Sequence, residues 1–107
     1  MYCTFDQNNS GGYFIRNEDV DMFVIIEGDT LDEVKKKANL IFEDYSEYCE
    51  CCGERWDTDV RPRDLTDEPM VYGEPAREFK SNFWNGNIII YYKNGKREII
   101  PIKREGQ

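Results

Sequence analysis

Histidine is missing from this chain altogether. Its absence removes the side chain that most often serves as a general base near neutral pH, and the nitrogen ligand of most zinc sites. Acid–base work would fall to carboxylates, lysine, tyrosine or a thiol, yet no pair of carboxylates stands in a recognisable glycosidase or nuclease setting. Nor is there the mixed Asp, Glu and His cluster of a metal-dependent hydrolase. The chain is therefore read as a non-enzyme. There is also no apolar run long enough to cross a bilayer, and no basic, apolar, small-residue series at the N-terminus of the kind that directs export. That combination predicts a cytoplasmic protein that does not use a membrane.

Positive charge is the next shortage: 14 Lys and Arg stand against 22 Asp and Glu, a net charge of −8. The deficit sits in residues 1–60, with 15 acidic and 5 basic side chains, whereas residues 61–107 carry 7 and 9. An acidic front half argues against nucleic-acid binding, which depends on neutralising phosphates with Lys and Arg. It permits docking on a basic partner surface. A small anionic ligand also stays open, because a pocket needs only a few placed donors and an arginine whatever the global charge.

At 107 residues and 12.7 kDa the chain makes one domain, residues 1–107, with room for a single core. Three of its four cysteines fall in Tyr48-Cys49-Glu50-Cys51-Cys52-Gly53-Glu54-Arg55-Trp56. Without an export signal they read as thiols or ligands rather than a disulfide framework. Cys49-x-x-Cys52-Gly53 has zinc-knuckle spacing, but a structural zinc takes four ligands. With Cys51 adjacent to Cys52 and no histidine, a carboxylate or a second subunit of a homo-oligomer would have to complete the site. The plainer reading has no cofactor: reduced cysteines on a tight turn, with Trp56 packed on the core.

Along the chain, Tyr2-Cys3-Thr4-Phe5-Asp6 reads as a strand and Tyr13-Phe14-Ile15 as its return, joined by the polar loop Gln7 to Gly12. Met22-Phe23-Val24-Ile25-Ile26-Glu27 is apolar enough for a central strand buried on both faces. Thr30-x-x-Glu33 is a capping box, and Leu31, Val34, Ala38, Ile41, Phe42 and Tyr45 share one helical face, predicting an amphipathic helix over residues 31–46. Residues 57–86 read as a long irregular segment, functional or wrapped over the core. Ile88-Ile89-Ile90-Tyr91-Tyr92 and Arg97-Glu98-Ile99-Ile100 flank Asn94-Gly95, the preferred centre of a type I′ hairpin, and Pro101 marks an edge or an end. The expected fold is α+β, an antiparallel sheet of four to five strands packed against one main helix.

The opening Thr4-Phe5-Asp6-Gln7-Asn8-Asn9-Ser10-Gly11-Gly12, the turn Cys49-x-Cys51-Cys52-Gly53-x-Arg55-Trp56, Tyr72-Gly73-Glu74 and the Tyr92-Lys93-Asn94-Gly95 hairpin resemble a family of small uncharacterised proteins of tailed bacteriophages. The resemblance covers most of the chain. It implies expression in the cytoplasm of an infected bacterium and a part in host takeover or counter-defence, without an established activity or site. The first functional expectation is a binding protein that sequesters a small anionic ligand such as a nucleotide signal. Gln7, Asn8, Asn9, Ser10, Gly11 and Gly12 would supply donors, Arg55 a guanidinium, and Trp56 and Tyr72 aromatic platforms. The alternative is an acidic inhibitor or adaptor that binds a host protein's basic surface, steered by the acidic half and anchored by exposed aromatics.

Overall fold

The computed structural model describes residues 1–8, 14–45, 48–49, 53–82 and 86–104. Strand β1 (Tyr2–Asp6) pairs antiparallel with β2 (Phe23–Glu27), setting Tyr2 opposite Glu27 and Asp6 opposite Phe23. Helix α1 (Leu31–Phe42) follows and tightens into a 3₁₀ turn at Glu43–Tyr45. Two-residue strands β3 (Tyr48–Cys49) and β4 (Gly53–Glu54) pair with each other. Strand β5 (Leu65–Thr66) joins the free side of β1, and β6 (Met70–Val71) with β7 (Glu74–Pro75) makes a separate hairpin. Strand β8 (Asn87–Tyr91) lies parallel to β2, and β9 (Arg97–Pro101) closes the sheet antiparallel to β8. The order β5-β1-β2-β8-β9 is the expected α+β fold, with one parallel pair in place of a wholly antiparallel sheet. A parallel neighbour needs a long crossover, which α1 and the segment behind it provide.

Alternation along β2 explains the layers. Val24 and Ile26 face α1 with Cys3, Phe5, Val34, Ala38, Phe42 and Trp56, while Phe23 and Ile25 face away and pack with Val71, Ala76, Phe79, Ile88, Ile90 and Ile100. Both faces of the central strand are thus dry, as its unbroken apolar run predicts. The helix begins where expected: Thr30 Oγ1 accepts from Glu33 N at 3.2 Å. Glu33 returns to the amide of Asp29, at 2.8 Å, one residue before the cap.

Three local expectations are corrected. Phe14 and Ile15 form no strand, because β2 takes the place beside β1 that a hairpin return would fill. Residues 57–86 are not wholly irregular: β5, the β6–β7 hairpin and 3₁₀ turns at Pro62–Asp64 and Ala76–Glu78 lie there, and the hairpin region forms the second covering layer. The Asn94-Gly95 turn is not type I′. Gly95 N donates to Tyr92 O at 3.0 Å and Tyr92 N to Lys96 O at 2.8 Å, with positive φ at Gly95 (89°) and not at Asn94. That is a type I turn followed by a left-handed glycine. The type I′ pattern occurs instead at Tyr72 (φ 50°) and Gly73 (φ 80°), between the paired Val71 and Glu74.

Candidate functional site

The residues proposed for an anionic ligand divide between two places. Gln7, Asn8, Arg55 and Trp56 do come together: Gln7 bridges to Trp56, and Asn8 N donates to Arg55 O at 2.7 Å. Gln7, Arg55 and Trp56 do so inside the protein, with Asn8 half-buried beside them. Arg55 is 0% exposed and donates from Nη1 to Gln7 Oε1 at 3.0 Å and to Asn8 O at 3.4 Å. Trp56 lies flat on Phe42, with ring centroids 4.2 Å apart and planes 4° from parallel. The buried Gln7 amide acts as a substitute peptide group: Nε2 donates to Ile15 O and Asp21 O, both at 2.9 Å, and Oε1 accepts from Ile15 N at 2.6 Å. This is how the backbone of Ile15 is satisfied beside the sheet although it lies in no strand. Gln7, Arg55 and Trp56 therefore face inward, where they brace the fold instead of lining a cleft. Asn9, Ser10, Gly11, Gly12 and Cys52 lie outside the described residues. Cys49 pairs its backbone with Gly53.

Tyr72 belongs to a different place, a groove of about 440 Å³ lined by Thr4, Asp6, Asp57, Asp59, Arg63, Asp64, Thr66, Met70 and Tyr72. Register explains how it forms. Cys3 pairs with Leu65 and Gln7 with Trp56, so residues 4–6 of β1 face residues 57–64, three against eight. The surplus bows outward and leaves the face of Thr4 and Asp6 uncovered. Local bonds stiffen the bow: Asp59 N donates to Asp57 Oδ1 at 3.0 Å, and Arg61 N to Asp64 Oδ2 at 2.8 Å. The β6–β7 hairpin forms the opposite wall, tied down where Thr4 Oγ1 donates to Met70 O.

At the hairpin tip Tyr72 is 61% exposed. Its hydroxyl donates to Asp6 Oδ2 at 3.0 Å, and its ring meets Phe23 edge-on at 5.6 Å. A left-handed φ is costly for a tyrosine, so the turn holds this ring over the groove against a local preference. Loss of hydration raises the Asp6 carboxyl above the ordinary aspartate range; the Tyr72 hydroxyl opposes that shift and Asp57 adds to it. Burial, then the nearby Asp6 charge, pushes the Tyr72 phenol up to about 12. On the helix side of β1, burial with Asp64 behind it pushes the Cys3 thiol up to about 11, which makes Cys3 an inert packing residue.

Four aspartates against one arginine make the groove a sink for positive charge. Among the described residues no group of three or more His, Cys, Asp or Glu side chains could hold a metal ion, so these carboxylates do not converge on a point. Spread carboxylates beside an aromatic face suit an organic cation. Sequence reasoning missed Asp6, Asp57, Asp59 and Asp64; the usable signal was their density beside a long segment already marked as functional or wrapped. It also missed Asp21. That carboxylate is 2% exposed and accepts from Met22 N at 2.8 Å, Asn87 N at 3.0 Å and Arg16 Nε at 3.1 Å, a clasp between the start of β8 and the loop before β2.

Residues 1–106 match the model of a domain of unknown function, DUF7296. The chain belongs to the DUF7296 family. No curated protein and no solved structure matches it. Among the described residues of this DUF7296 chain, no helix is long and apolar enough to cross a membrane.

Proposed function

We propose that the chain is a non-enzymatic binding protein whose acidic groove receives a lysine or arginine side chain from the basic surface of a protein partner. The observation that carries this reading is the groove beside β1, where Asp6, Asp57, Asp59 and Asp64 surround an open face and Tyr72 is held above it in a disfavoured backbone conformation. A guanidinium or ammonium there would meet carboxylates on one side and an aromatic face on the other. The acidic front half would steer the encounter. The small-anion reading has less support, since Gln7, Arg55 and Trp56 are committed to the interior. On the resemblance to tailed-phage proteins, the partner would be a host protein in the bacterial cytoplasm.

The test is a titration with an arginine- and lysine-rich peptide, against an acidic peptide and a nucleotide as controls. A variant carrying Asp57→Asn, Asp59→Asn and Asp64→Asn is compared with one carrying Asp32→Asn, Glu43→Gln and Asp44→Asn on the helix surface, which changes net charge equally. The groove variant is expected to lose binding while the helix variant keeps most of it, and binding should weaken with added salt. Equal loss in both variants would reduce the effect to net charge. Nucleotide binding without peptide binding would restore the small-anion reading.

A further inference from the structure

The chain contains two Asn-Gly pairs, Asn85-Gly86 and Asn94-Gly95. Asn-Gly is the dipeptide most open to spontaneous deamidation, because a glycine amide has no Cβ to hinder its attack on the preceding side chain. The reaction needs no partner beyond water. The Gly nitrogen loses its proton and adds to Cγ of the Asn; the N–Cγ bond forms, the Cγ–Nδ2 bond breaks, and ammonia leaves a succinimide. Water opens that ring at either carbonyl, giving aspartate or isoaspartate.

The two glycines sit in opposite surroundings. A Cβ built on Gly86 would meet Asp21 Oδ1 at 2.4 Å and Met22 Cγ at 2.7 Å, and Gly86 O is held by Ile102 N at 3.0 Å. Gly86 itself is thus crowded by the side chains of Asp21 and Met22. Around Gly95 a Cβ would meet nothing within 4 Å, and residues 93–97 are all exposed. Lys96 N donates to Asn94 Oδ1 at 2.9 Å, so the oxygen that gains negative charge during attack already has a backbone donor. One bond stands in the way, from Gly95 N to Tyr92 O at 3.0 Å.

We propose that Asn94 is a site of selective self-modification, deamidating in the folded protein while Asn85 is spared. Aspartate at position 94 keeps an acceptor for Lys96 N and preserves the turn. Isoaspartate adds a backbone atom between Tyr92 and Lys96 and breaks the turn, loosening Lys93, whose amide donates to Glu27 Oε1 at 2.9 Å and whose ammonium pairs with Asp29 at 2.5 Å.

The experiment incubates the full chain, folded and in guanidinium, at mildly alkaline pH, and follows both asparagines by peptide mapping that separates aspartate from isoaspartate. In the folded protein conversion at position 94 is expected to exceed that at 85 by at least about tenfold, the factor given by about 1.4 kcal/mol in barrier. In guanidinium the two rates should approach each other. Three results would overturn the proposal: similar folded rates, a folded protein inert at 94 while the denatured one reacts, or a preference that survives denaturation and so owes nothing to the fold.

Discussion

Gln7 looks like a ligand donor in the sequence and is an internal brace in the structure. Its amide satisfies both backbone groups of Ile15, the carbonyl of Asp21 and one donor of Arg55. Gln7→Leu keeps the volume but leaves these buried groups without partners, each costing about 1–3 kcal/mol and more where charged. A loss of at least about 3 kcal/mol is expected in chemical denaturation; under about 1 kcal/mol would show that water replaces the amide. Asp6 makes the opposite case. Its folded pKa is raised, so its contribution to stability is present below the ordinary aspartate range and is lost as pH rises through the folded value. Asp6→Asn keeps an oxygen for Tyr72 and removes the charge. It should raise the Tm at neutral pH, and the gain should vanish below a pH of about 4. A Tm that falls at neutral pH would mean that the ionised carboxylate is worth more to Tyr72 than it costs beside Asp57.

At the scale of elements, what could be read from the sequence depended on length. The capping box at Thr30, the helical face through Val34, Ala38 and Phe42, and the apolar run of β2 each repeat a pattern over several residues, and each stands where it was expected. Two-residue strands such as β5, β6 and β7 have no period to detect. The segment could thus be read as functional or wrapped over the core, but not as the hairpin that forms the second covering layer and one wall of the groove. The turn type at Asn94-Gly95 was misread because Asn-Gly serves two hairpin geometries, and the count of loop residues decides between them. Pro101 was read as marking an edge or an end, and it stands at both, as the last residue of the edge strand β9. Ile102 N donates to Gly86 O, so by alternation the nitrogen of Pro101 points away from β8. There proline costs no ladder bond and withholds a donor from any approaching strand. Pro101→Val should therefore change stability little while increasing self-association in sedimentation velocity; an unchanged sedimentation coefficient at high concentration would show that the edge is guarded by other means.

For the whole molecule, charge is the property least tied to fold. The net −10 of residues 1–60 is carried on a sheet and helix held together by apolar packing, and like charges at this density oppose compaction. Raising salt from near zero to the physiological range shortens the Debye length to about 8 Å and should raise the Tm. A Tm that falls instead would mean that exposed pairs such as Arg77–Glu98 and Arg97–Asp19 outweigh the repulsion. The bowed segment beside β1 has a further consequence. Its two ends are fastened by backbone pairing at Trp56 and Leu65, and the residues between them add nothing to the sheet's register. Changing loop length costs only tenths of a kcal/mol per residue. A change of length between those anchors would therefore reshape the groove while leaving the strand pairing as it is, so long as Val60 keeps its place in the core.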